Sequence, residues 1–105
     1  MKLAINEAAV NGSVSENIKL QSAMANHSLE IKITGTVTAL TIDLEGSLSG
    51  NFWTSLASHP LTSDEIAAKG AIFHVESRLV EQVRAKITSY TGSGTVSVWY
   101  TPFPN

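Results

Sequence analysis

With 105 residues, seven basic and nine acidic side chains for a net charge of −2, and no cysteine, the chain has room for one hydrophobic core. It has no run of like charge to grip a nucleic-acid backbone, and no disulfide or thiolate metal site. Its 43% apolar and 15% charged residues leave the surface to Thr, Ser and Asn, as in a sheet protein with a solvated outer face.

The first ten residues, MKLAINEAAV, hold one Lys and only Leu3, Ala4 and Ile5 before Asn6 and Glu7 interrupt them, which falls short of a signal-peptide core. No apolar run approaches the ~20 residues of a membrane-crossing helix. The expectation is a soluble chain made in the cytoplasm, with residues 1–14 assigned to no element. ENIKL (16–20) reads as a strand. From Ser28, SLEIKIT alternates, with Leu29, Ile31 and Ile33 on one face and Glu30 and Lys32 on the other. Leu40, Ile42 and Leu44 then alternate with Thr41, Asp43 and Glu45, out of phase with the first run. The phase change around Gly35 predicts a hairpin turn or a bulge.

EGSLSGNFWTSL (45–56) places a tight turn, with Ser49 and Gly50 at its centre, between two strand-like runs. After Pro60, Thr62 and Glu65 have capping-box spacing and Gly70 is placed to close a helix of about two turns; an irregular loop is the alternative. AIFHVE (71–76) alternates through Ala71, Phe73 and Val75, and QVRAKITSY (82–90) through Val83, Ala85 and Ile87. TGSG (91–94) predicts a hairpin into TVSVWYT, where Val96, Val98 and Tyr100 share a face. About seven or eight short strands with at most one short helix indicate an all-β antiparallel sandwich, jelly-roll-like, as a single domain over 1–105. Residues 102–105, with two prolines, are expected to form an extended C-terminal arm.

No residue set in the sequence spells a chemistry. From Gly46 the order is Gly, Ser, Leu, Ser, Gly, which puts Leu48 where a nucleophile elbow needs serine. His27, His59 and His74 share no metal-ligand spacing. Asp43 and Glu45 project from one strand face, but two carboxylates are a fraction of a calcium shell, and a solvated face accounts for them. The glycines of GSGT (92–95) precede a strand, whereas a phosphate loop needs a helix there. No catalytic, metal-binding or cofactor-binding residue is assigned, and the chain is expected not to be an enzyme.

The aromatic residues carry more information. Trp99 falls opposite Val98 and Tyr100, so it is expected to point outward or into an interface. Trp53 follows the Ser49-Gly50 turn and is expected to close the end of the core; a stacking platform for sugar is the alternative.

IDLEGSLSGNFWTSL resembles the strand, turn, strand unit of discoidin-type, galactose-binding-like β-sandwiches, with Ser47, Gly50 and Trp53 on their Ser-x-Asp-Gly-x-x-Trp turn and Ser49 in place of the aspartate. RLVEQVRAKITSYTGSGTVSVWY resembles the second half of such domains. LEGSLSG, a Trp and TGSGTVSVWY together are also similar to small virion proteins of tailed bacteriophages. These likenesses run from about Leu29 to Thr101. They imply a structural protein of a phage particle, such as a capsid-decoration or head or tail accessory protein, located in the virion and contacting other virion proteins and itself, with a trimer as one closed form. Val37, Ala39, Trp99 and Phe103 are the candidate contact residues. The alternative is a carbohydrate-binding module that uses Asn51, Trp53 and His59. Neither reading involves nucleic acid, membrane or cofactor.

Overall fold

The computed structural model describes residues 2–3 and 17–103. Among these, the chain forms β1 (Lys2–Leu3), β2 (Ile18–Met24), β3 (Asn26–Thr34), β4 (Val37–Ser47), β5 (Thr54–Pro60), α1 (Ser63–Ala68), β6 (Gly70–Val75), β7 (Val80–Gly92) and β8 (Thr95–Phe103). All strand pairs are antiparallel. One sheet has the order β1-β8-β3-β6 and the other β2-β7-β4-β5. This is the two-Greek-key arrangement of a jelly roll, so the expected all-β sandwich is the observed one.

Period-2 alternation builds it. Leu29, Ile31 and Ile33 of β3 and Val96, Val98 and Tyr100 of β8 project from the first sheet into the core. Leu40, Ile42 and Leu44 of β4 meet them from the second sheet with Val83, Ala85 and Ile87 of β7. These side chains are at most 2% exposed. Burying one stabilises the fold by about 1.5–3 kcal/mol.

Two expected hairpins are corners instead. β3 and β4 lie in different sheets, and so do β7 and β8, so Gly35 and the TGSG turn each carry the chain from one sheet to the other. The same glycine chemistry serves both geometries, and here the two corners interlock. The Ser93 N–H donates to the Thr36 carbonyl at 2.8 Å. A Cβ on Gly94 would fall inside contact distance of the Thr34 carbonyl oxygen, and one on Gly92 inside that of Thr36. The out-of-phase alternation of β3 and β4 is the trace of this switch: each strand turns its own apolar set to the shared core.

EGSLSGNFWTSL is a hairpin, with Gly46 opposite Thr54 across β4 and β5 and Gly50 in the left-handed region at φ 87°. The helix forms with its full capping box: Thr62 Oγ1 accepts from the Glu65 N–H at 3.2 Å, and Glu65 Oε1 accepts from the Thr62 N–H at 2.9 Å. Lys69, at φ 65°, ends it, and Gly70 is already the first residue of β6. At the C-terminus, Pro102 and Phe103 belong to β8, opposite His27 and Asn26, rather than to a free arm. The described pairing of β1 stops at Trp99, so the proline interrupts no ladder there. Residues 104–105, and most of segment 1–14, lie outside the described residues. No helix among the described residues is long and apolar enough to cross a membrane.

Candidate binding surface

The molecule is 37 Å long, and the end opposite the glycine corners is built from the β4–β5 and β6–β7 loops. In the first loop Ser47 Oγ accepts from the Gly50 N–H at 2.7 Å and Ser49 Oγ from the Asn51 N–H at 3.1 Å, two short side-chain turns that fix the backbone. The Trp53 indole N–H donates to the Gly50 carbonyl at 3.2 Å. Its ring lies under the Arg84 guanidinium, 4.3 Å from the ring centroid, and Arg84 Nε donates to Glu45 Oε1 at 2.7 Å. Trp53 is half-buried and lies outside the core cluster. The expectation that it closes the core is corrected, because Arg84 holds it on the outer face of the second sheet. With Trp53 folded down, Leu48 and Phe52 are left in solvent, 61% and 76% exposed.

The second loop is held from inside. The Ala25 carbonyl accepts from the Arg78 N–H at 2.9 Å, and Asn26 Oδ1 from the Ser77 N–H at 3.3 Å. His27, fully buried, donates from Nε2 to the Arg78 carbonyl at 2.9 Å and accepts at Nδ1 from the Tyr100 hydroxyl at 2.5 Å. Burial pushes the imidazole below its ordinary range, against a smaller upward pull from the Arg78 carbonyl, and burial pushes the Tyr100 phenol up. Both rings are therefore neutral at pH 7, which is the state this chain of donors requires. Leu79, 60% exposed, projects from the loop so pinned. Leu48, Phe52 and Leu79 rim a cleft of about 380 Å³ lined deeper by Leu56 and Val80, with Arg78 as its cation.

The candidate contact residues do not share one surface. Val37 is 5% exposed and belongs to the core, so it is withdrawn as a contact: its strand starts at the corner, where the side chain turns inward over Gly94. Ala39 lies on the outer face of the second sheet, opposite Thr91. Trp99 lies on the outer face of the first, between Glu30 and Lys2. Phe103 is at the end of that same face, with the His74 ring edge-on at 6.0 Å. The sugar-contact set is also split. Asn51 and Trp53 share the β4–β5 turn, whereas His59 lies six residues further along β5, about 20 Å away. There it stacks on Phe73 at 4.8 Å and bonds Glu65 at 3.1 Å. The Thr62 backbone N–H first, and His59 after it, hold the Glu65 carboxyl below its usual range.

Asp43 and Glu45 have separate partners, Ser55 and Arg84. The structure also brings Ser28 Oγ to 2.8 Å from His74 Nδ1 on an exposed strand face. Among the described residues no carboxylate bonds that imidazole, so the pair lacks the third member that orients a catalytic histidine. Sequence reasoning missed Leu48, Phe52 and Leu79; the available signal was large apolar residues inside turn segments, where no strand periodicity assigns them to a core.

No protein-family model and no curated protein sequence matches the chain. Solved structures do. The SPBc2 prophage-derived protein YomS superposes over 96% of this chain and 90% of its own, with TM-score 0.53 and 17% identity. The CBM32-3 module from a family 31 glycoside hydrolase of Clostridium perfringens covers 93% of this chain and 73% of its own, with TM-score 0.57 and 14% identity. PirA covers 87% and 85%, with TM-score 0.56 and 20% identity. What this chain shares with all three is a fold, the antiparallel β-sandwich.

Proposed function

We propose that the chain is a non-enzymatic structural protein of a phage particle, a capsid-decoration or head or tail accessory protein, that acts through protein–protein contacts at the apolar end of its sandwich. The observation that carries this reading is the grouping of Leu48, Phe52 and Leu79, three of the large apolar side chains most exposed in the molecule, around one cleft. Contiguous apolar surface rimmed by polar groups marks a contact site. Covering such side chains stabilises a complex by up to about 1.5–3 kcal/mol each. Repetition over a symmetric particle then multiplies a modest contact into firm attachment. The phage assignment draws support from the prophage-derived neighbour, which matches over nearly the whole of both chains. The site of action is the virion, after synthesis in the bacterial cytoplasm, and the partners are other virion proteins and further copies of the chain.

The test is mass spectrometry of gradient-purified particles of the phage that encodes the chain. Recovery at many copies per particle is expected, with loss from the particle in a Phe52→Ser, Leu79→Ser variant. Absence from intact particles overturns the reading.

One observation favours a second reading, a carbohydrate-binding module. Phe52, rather than Trp53, presents an open ring, beside the exposed Asn51, and one structural neighbour is a CBM32 module. A glycan array probed with wild type and Phe52→Ala decides it: hits lost in the variant support this reading, and a blank array removes it.

A further inference from the structure

Strand β6 is the edge of the first sheet, and the ladder register fixes which of its backbone groups face outward. Ile31 stands opposite Ala71 and Leu29 opposite Phe73, and the adjoining Ile33 N–H donates to the Lys69 carbonyl at 3.0 Å. Bonded and unbonded pairs alternate along an antiparallel ladder. Ala71, Phe73 and Val75 therefore direct their amides and carbonyls at β3, and Gly70, Ile72 and His74 direct theirs at the open edge. No strand lies beyond that edge among the described residues.

Both edges of the second sheet carry features that discourage pairing. β5 has a register shift opposite Leu44 and Glu45 and ends in Pro60, and β2 loses register between Lys19 and Met24. From Gly70 to Val75, β6 has no proline, no bulge and no Asp, Glu, Lys or Arg. Ile72, 60% exposed, stands at its centre on the outer face.

We propose that β6 binds a second copy of this chain, antiparallel, about a twofold axis through Ile72, fusing two four-stranded sheets into one. The three outward-facing residues are centred on Ile72, so this register engages all of them: Ile72 opposite its own copy and Gly70 opposite His74, with about six N–H···O bonds in total. Registers shifted by two residues engage fewer. The central pair is apolar, with Cα atoms about 5.5 Å apart, and covers the exposed Ile72. The edge runs along the flank of the sandwich, apart from Leu48, Phe52 and Leu79, so self-pairing leaves the apolar end open.

Sedimentation equilibrium over a concentration series, combined with two variants, tests this. Wild type is expected to dimerise, and Ile72→Lys, which sets like charges face to face at the axis on a solvent-exposed position, is expected to be monomeric with an unchanged circular dichroism spectrum. Because the chain has no cysteine, Ile72→Cys is expected to give a disulfide-linked dimer on mild oxidation, well above a Ser58→Cys control on β5. A dimer that persists in Ile72→Lys overturns the proposal, as does a wild type monomeric at every concentration together with no excess cross-linking at position 72.

Discussion

The two ends of the sandwich are opposites in construction. At one end, the backbone of two corners is locked by hydrogen bonds: the Ser93 N–H donates to the Thr36 carbonyl, the Tyr90 hydroxyl accepts from the Gly94 N–H at 2.6 Å, and Lys69 Nζ donates to the Gly35 carbonyl at 2.6 Å. At the other, the loop backbones are just as well bonded, but the bonds serve to hold Leu48, Phe52 and Leu79 in water. Tolerance of substitution should therefore differ sharply between them. At the glycine end a single methyl has nowhere to go, whereas at the apolar end a whole ring is removable without cost to folding.

The largest expected effect is Gly94→Ala. Its Cβ meets the Thr34 carbonyl, a backbone atom that cannot move aside, so a loss of about 3 kcal/mol is expected. Thermal denaturation should show it, with a fall of at least ~10 °C in Tm. Next is Tyr100→Phe, which keeps the ring and strips His27 Nδ1 of its donor, for about 1–3 kcal/mol at pH 7.

The same pair sets a pH dependence. His27 titrates lower in the folded chain than at its ordinary value of 6.5, so below pH 6.5 the unfolded chain binds more protons and stability falls as the pH drops. The denaturation midpoint should thus decline from pH 6.5 downward, while the NMR signal of the His27 ring shows it less than half protonated at pH 6.5. A ring that is half-protonated at 6.5 or above contradicts the buried neutral pair.

Arg84→Ala is expected to cost about 0.5–1 kcal/mol and to change Trp53 emission, read in a Trp99→Phe background. Smallest for stability is Phe52→Ser, within ~0.5 kcal/mol of wild type, with its effect confined to partner binding. A large loss there would erase the contrast between the ends.

The strands were legible because alternation is local: Leu29, Ile31 and Ile33 announce their common face within five residues, and so do Val96, Val98 and Tyr100. The capping box was equally local. The connections were not legible at Gly35 or at TGSG, since a glycine turn reads the same whether it returns the chain to the next strand or to the facing sheet. Only partners far along the chain separate the two cases. The surface suffered in the same way. Tyr100 lies 73 residues from His27, and Arg84 reaches Trp53 from another strand, so neither the pinned loop nor the covered indole had a sequence signature. Val37 was misplaced for a related reason: its alternation gives the strand, and the corner decides which way its first side chain turns.

The position of β8 has a consequence for biosynthesis. It lies between β1 and β3, and it closes the first sheet through pairs that join Asn26 to Phe103 and Thr34 to Thr95. A nascent chain that has emerged only through β7 can assemble the second sheet, but it leaves β3 with one bare edge and the core without Val96, Val98 and Tyr100. Such long-range closure is slow compared with local hairpin formation. Folding therefore completes only once residue 103 has cleared the ribosome, and until then β3 keeps one edge unpaired.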